Sequence, residues 1–96
     1  MATITQENNR WLVSGDMTVS QVNDLLDASA QLAVEGEMEV DLAAVTDVDT
    51  SSISLLFEWL RLAHARKCKL SFSNLPANLT SLATLYGVLE LIPTSH

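Results

Sequence analysis

The stretch from Glu39 to Phe57, Glu-Val-Asp-Leu-Ala-Ala-Val-Thr-Asp-Val-Asp-Thr-Ser-Ser-Ile-Ser-Leu-Leu-Phe, changes its apolar period within a few residues. Met38, Val40 and Leu42 alternate with Glu37, Glu39 and Asp41, the period of a strand with one buried face, and from Ile53 the spacing becomes helical. A strand is therefore delivered through a tight turn into a helix. The turn, Asp49-Thr50-Ser51-Ser52, supplies four side chains able to cap a helix N-terminus, where one is enough. The surplus has two readings: an over-supplied cap, or a turn whose hydroxyls do something else.

The 96 residues are 48% hydrophobic, with three Gly and two Pro, which fits one compact domain over 1–96. Twelve acidic against five basic residues leave a net charge of −7, so a nucleic acid backbone or an anionic lipid surface would be repelled. Nucleic acid is excluded as a partner on this ground. The start, Met-Ala-Thr-Ile-Thr-Gln-Glu, has neither a basic segment nor an apolar run, and no stretch is long enough to span a bilayer. A cytoplasmic protein is expected. Cys68 stands alone, so no internal disulfide can form, and a half-buried thiol without function is expected there.

Ile4 begins a short strand, Glu7-Asn8-Asn9 reads as a turn, and Trp11-Leu12-Val13 as the second arm of a hairpin ending at Ser14-Gly15. Thr18 and Gln21 have capping-box spacing before a helical stripe of Val22, Leu25, Leu26, Ser29, Leu32 and Ala33, closed near Gly36. After the Asp49 turn a helix runs from about Ser51 to Arg66, and Lys69-Leu70-Ser71-Phe72 restores strand alternation. Asn74-Leu75-Pro76 opens a third helix with Leu79, Leu82, Ala83 and Tyr86, stopped by Gly87. This order predicts a small α/β domain, a mixed β-sheet covered by helices.

At 100° per residue, the helix after the turn carries two apolar groups. Ile53, Leu56, Phe57 and Leu60, with Ala63 at the edge, form a core-facing side. Leu55, Trp59 and Leu62 fall on roughly the opposite side, where a helix lying on a sheet meets water, and a Trp between two Leu has the composition of a binding anchor. The alternative is that the third helix or Leu89-Glu90-Leu91-Ile92 folds over them.

Catalytic constellations are thin. Ser51 and Ser52 precede His64 on one helix, separated from it by about 18 to 20 Å of rise, too far for a nucleophile and base. Neither His64 nor the terminal His96 has a second ligand at helical metal-site spacing. Asp47 and Asp49 read as turn carboxylates, and the isolated glycines form no phosphate loop. No catalytic residue, metal or cofactor is expected. A hydroxyl at a helix N-terminus could instead take a phosphate, favoured by the dipole and opposed by Asp49 and Asp47, or be read by a partner protein.

The whole chain resembles the STAS domain family, to which bacterial anti-sigma-factor antagonists and the cytoplasmic tails of sulfate transporters belong. Asp41-Leu42, followed by Asp49-Thr50-Ser51-Ser52-Ile53, matches the family's strand ending and its Asp-Ser-Ser-Gly-Leu turn, and Gly15-Asp16-Met17-Thr18 resembles its Gly-Glu-Leu-Asp segment. Thr18 stands where an acidic residue is usual, Ala43 where Ser is common, and Ser52 where Gly is. A narrower resemblance is to the small STAS subunits of the Mla phospholipid-transport ABC complexes of Gram-negative bacteria, carried by Asp49-Thr50-Ser51-Ser52 and the Leu82-Ala83-Thr84-Leu85-Tyr86 run.

The resemblance implies a non-catalytic subunit that binds and regulates the cytoplasmic ABC ATPase of a transporter maintaining outer-membrane lipid asymmetry. It would lie in the cytoplasm and touch the inner membrane only through its complex. Asp49, Thr50, Ser51, Ser52, Leu55, Trp59 and Leu62 are the expected partner-binding residues. The alternative is an anti-sigma-factor antagonist switched by a partner kinase that phosphorylates Thr50 or Ser51.

Overall fold

The computed structural model describes residues 2–32 and 36–94. Ala33 of the first helical stripe and His96 lie outside them. The element order is β1 (Thr3–Glu7), β2 (Arg10–Met17), α1 (Val22–Ser29), β3 (Glu37–Val48), α2 (Thr50–Ala65), β4 (Lys69–Ser73), α3 (Ala77–Leu85) and a short 3-10 turn (Leu89–Leu91). The small α/β fold with a mixed sheet is the one expected from the order of periodicities.

The four strands lie in the order β1-β2-β3-β4, β1 antiparallel to β2 and the other two pairs parallel. Asn8, at φ +59°, makes the hairpin turn between Glu7 and Arg10, a left-handed conformation that Asn tolerates. Parallel neighbours need a crossover, and α1 and α2 supply the two crossovers. One sheet face buries Trp11, Val13, Met38, Val40, Leu70 and Phe72 in a single core with Leu25, Leu56 and Leu79. The other face is polar: Arg10 pairs with Glu39 at 3.2 Å and with Asp41 at 2.6 Å. The free edge of β4 is partly closed by the chain end, where the Phe72 N–H donates to the Pro93 carbonyl at 2.9 Å.

β3 is twice as long as its clean alternation. Its register with β2 slips twice, between Leu12 and Ser14 and between Gly15 and Met17, and each slip places an extra residue in β3. Each extra residue is a β-bulge, which moves the next inward position by one. Leu42 and Val45 are thereby both buried although three apart, and the period of two is broken without ending the strand. β2 likewise runs on past Ser14-Gly15 to Met17.

Two further expectations are corrected. α1 begins without a side-chain cap: the Thr18 carbonyl, not its hydroxyl, accepts from the amides of Gln21 and Val22, and the helix ends at Ser29, well before Gly36. Leu55 and Trp59 are 2% and 1% exposed, and Leu62 is half-buried. Leu55 and Trp59 are core, not part of a docking stripe. At 100° per residue, Leu62, Leu55, Trp59, Leu56, Leu60 and Ile53 form one continuous arc of about 180°, with Ser52 and Ala63 in its middle. Those two small residues are fully buried, and the two apolar groups are one face interrupted by small side chains. The arc is wide because α2 packs against α1, α3 and β4.

Candidate functional site

β3 ends at Val48 and the chain turns into α2 at Asp49, whose extended backbone (φ −144°, ψ −170°) is that of an N-cap. The Asp49 Oδ1 accepts the Ser51 amide at 2.8 Å, and the Ser52 hydroxyl accepts the Asp49 amide at 3.0 Å while donating to the Asp49 carbonyl. Asp49 and Ser52 thus complete the cap between them. Ser52 is fully buried in the process, so it is a structural residue of the turn rather than one presented to a partner.

The second oxygen of Asp49, Oδ2, accepts the Val19 amide at 3.0 Å. One carboxylate therefore joins the N-terminus of α2 to the loop before α1. The neighbouring strands are tied as well: the Thr46 hydroxyl donates to Asp16 Oδ1 at 3.2 Å, and Asn78 Nδ2 of α3 donates to the Thr46 carbonyl at 3.0 Å. This holds three loops at one end of the sheet in fixed relation.

On that scaffold Thr50 is exposed and Ser51 half-buried, and neither hydroxyl has a hydrogen-bond partner among the described residues. The cap does not use them. Beside them stands Val19, 70% exposed. Sequence reasoning passed over Val19, although its signal was legible: an apolar residue outside the stripe that starts at Val22. Of the residues expected at the site, the structure brings Asp49, Thr50 and Ser51 together at the surface, and takes Ser52, Leu55 and Trp59 into the interior. The outer face of α2 continues from Thr50 through Ser54 to Glu58 and Arg61. There the Arg61 guanidinium, hydrogen-bonded to Glu58, lowers the Glu58 carboxyl and is itself raised.

The polar sheet face holds a second, separate cluster. Burial alone would raise the Asp41 carboxyl, but hydrogen bonds from the Ala43 amide and Asn74 and the charge of Arg10 outweigh it and hold the group below its ordinary value. These contacts cross-link β2, β3 and the turn after β4. Among the described residues no group of three His, Cys, Asp or Glu is placed to hold a metal ion, and no helix is long and apolar enough to cross a membrane.

A family model described as "Mlab, STAS domain" matches residues 3–93. Comparison with curated proteins finds no match. Among solved structures, the chain is similar to the anti-sigma factor antagonist SpoIIAA in its unphosphorylated form, with a TM-score of 0.70 at 13% identity, covering 100% of this chain and 89% of that one. It is also similar to a sulfate transporter family protein from Wolinella succinogenes, with a TM-score of 0.69 at 14% identity, covering 86% and 69% of the two chains. A third similar structure is a serine-to-glutamate form of RsbS from Moorella thermoacetica, with a TM-score of 0.63 at 21% identity over 98% and 85%. At these identities the likeness speaks for the fold. With a family model matched over nearly its whole length and a fold shared with SpoIIAA, the chain belongs to the STAS domain family.

Proposed function

We propose that this STAS domain is a non-catalytic subunit of a phospholipid-transport ABC complex, docking through its Thr50 turn on the cytoplasmic ATPase. In this reading it sits at the inner membrane through that complex, which maintains outer-membrane lipid asymmetry. The observation that carries the reading is the division of labour at the turn. Asp49 and Ser52 cap α2, leaving the Thr50 hydroxyl exposed on a rigid support beside the apolar Val19. A free hydroxyl next to an exposed apolar side chain, both held by rigid elements, suits recognition by a protein surface. The wording of the matched family model, "Mlab, STAS domain", supports reading the chain as such a subunit. The contact residues are Asp49, Thr50, Ser51 and Val19.

Co-expression with the cytoplasmic ATPase of a phospholipid-transport ABC complex from the same organism, followed by pull-down and ATPase assay, tests the reading. Thr50→Ala and Val19→Asp should lower both binding and activity while the thermal melt stays where it was. Wild-type binding in both variants would reduce the turn to a helix cap.

The second reading is a phosphoswitch, favoured by one specific feature: both free hydroxyls lie beside the carboxylate that holds the Val19 amide. A phosphate on Thr50 or Ser51 would add roughly −1.5 to −2 charges next to Asp49 and push on that contact. Incubation with a candidate anti-sigma kinase and intact-mass measurement separates the two readings, since docking on an ATPase needs no modification.

A further inference from the structure

The exposed apolar side chains gather near one helix. Among the described residues the exposed large hydrophobics are Val19, Leu85, Tyr86 and Leu91. Val19 stands at the docking turn, and the other three lie at the end of α3 and in the 3-10 turn packed on it. Leu85 and Tyr86 are 77% and 57% exposed. Their surroundings in sequence are also without charge, since no Asp, Glu, Lys, Arg or His stands between Lys69 and Glu90. The other helices differ: α1 shows Asp24 and Asp27 to solvent, and the outer face of α2 shows Glu58 and Arg61. A surface helix normally carries charged residues on the side away from the core, so the bare outer side of α3 needs a cause other than folding.

At 100° per residue, Asn78, Leu82, Leu85 and the C-cap Tyr86 fall within an arc of about 100° on α3. The side of α3 that meets the core is Leu79 and Ala83, both fully buried. Asn78 starts the row at the end of the sheet that holds the docking turn, because its Nδ2 donates to the carbonyl of Thr46, shortly before Asp49. From there the row runs about 12 Å along the helix to Tyr86. It is continuous with the turn.

Area gives an independent argument. A specific protein interface takes about 800 Å² and roughly 20–30 residues from each partner, and Val19, Asp49, Thr50 and Ser51 fall far short of that. The missing surface must adjoin the turn, and interface centres are depleted in charge and enriched in tyrosine. α3 meets these conditions, whereas α1 and the outer face of α2 carry charges. A second copy is a poor occupant, because two chains of net charge −7 repel each other.

We propose that the docking surface extends from the Thr50 turn along α3, with Leu82, Leu85 and Tyr86 as its apolar centre, and that the ATPase meets it with an uncharged, aliphatic patch. This rests on the reading of the turn as the ATPase contact. The turn fixes where the partner sits, and the α3 row supplies most of the apolar area that leaves water.

Binding of the full chain to the cytoplasmic ATPase of a phospholipid-transport ABC complex from the same organism, measured by biolayer interferometry, tests this. Leu85→Asp and Tyr86→Asp should each weaken binding by about thirtyfold or more with an unchanged circular dichroism spectrum, since both side chains are exposed. Ala28→Asp, which adds the same charge on the exposed side of α1, should bind as the parent does. Parental affinity in both α3 variants, with Thr50→Ala impaired, would overturn the extension and leave the turn reading standing. No binding by the parent chain would overturn both. A loss in Ala28→Asp as large as in Leu85→Asp would also overturn the extension. So would a dimer of the parent in sedimentation that Leu85→Asp dissolves, for the face would then belong to a second copy.

Discussion

The indole N–H of Trp59 donates to the hydroxyl of Ser29 at 2.9 Å, both groups buried, and so joins α2 to α1 across the interior. The same indole meets Trp11 of β2 edge to face, with ring centroids 5.7 Å apart and planes at 77°. An edge-to-face pair of this kind adds about 0.5–1.5 kcal/mol to the burial of its surface. Trp59 is thus the point where both crossover helices and the sheet meet, and it has no free face to offer a partner.

Trp59→Ala should consequently cost about 3–5 kcal/mol of folding free energy, enough to unfold a domain this small in part or whole. Ser29→Ala leaves the buried indole donor unpaired, at about 1–3 kcal/mol. Trp11 provides the control, because its Nε1 is buried with no hydrogen-bond partner among the described residues. Urea denaturation followed by circular dichroism should therefore rank Trp59→Phe as more damaging than Trp11→Phe. The reverse ranking would show that the Trp59–Ser29 bond contributes nothing.

At the turn, cap and contact should separate by mutation. Asp49→Ala removes the cap and the tie to Val19, and Ser52→Ala removes the other half of the cap, each costing about 0.5–2 kcal/mol. Thr50→Ala, at an exposed residue without a hydrogen bond, should stay within about 0.5 kcal/mol of the parent. Thr50→Glu should fold equally well but bind the ATPase least, since it would carry an unpaired charge into the contact at a cost of several kcal/mol. Thermal melts and pull-downs on the same four proteins check both halves. A large stability loss in Thr50→Ala would mean that the hydroxyl is structural.

Acid should act through Asp41. Its carboxyl is held below the ordinary value of 3.8 in the folded chain, so the unfolded chain takes up this proton first as pH falls. The stabilisation is complete above the unfolded pKa and is lost as pH drops toward the lower folded pKa. Urea midpoints between about pH 6 and pH 2 should fall in that acid window for the parent, and fall less steeply for Asp41→Asn. A slope unaltered by the substitution would place the acid sensitivity elsewhere.

The purified domain should contain no stoichiometric metal and hydrolyse neither esters nor phosphate esters. The Thr50 and Ser51 hydroxyls have no base in the turn, and the carboxylate beside them already accepts two backbone amides. Elemental analysis after dialysis against chelator, with an ester and a phosphate ester as substrates, checks this. One equivalent of metal would overturn it.

What the sequence by itself determined is local. The alternation of Met38, Val40 and Leu42, the Asp49 cap, the left-handed Gly87 at φ +68° closing α3, and the order of strands and helices all follow from interactions a few residues long. These the period and the capping chemistry report directly. The family motif points to the Asp49-Thr50-Ser51-Ser52 turn as the candidate site, and Thr50 is exposed there. Tertiary structure decided the rest. A helix carries its apolar residues at known angles, but how wide an arc is buried depends on how many neighbours pack on it, and three neighbours turned the expected anchor at Leu55 and Trp59 into core. The bulges that carry β3 on to Val48, the backbone rather than side-chain start of α1, and the pairing of Asp49 with Val19 across the two loops likewise need a second segment in place. No periodicity within one segment encodes a contact whose other half lies thirty residues away.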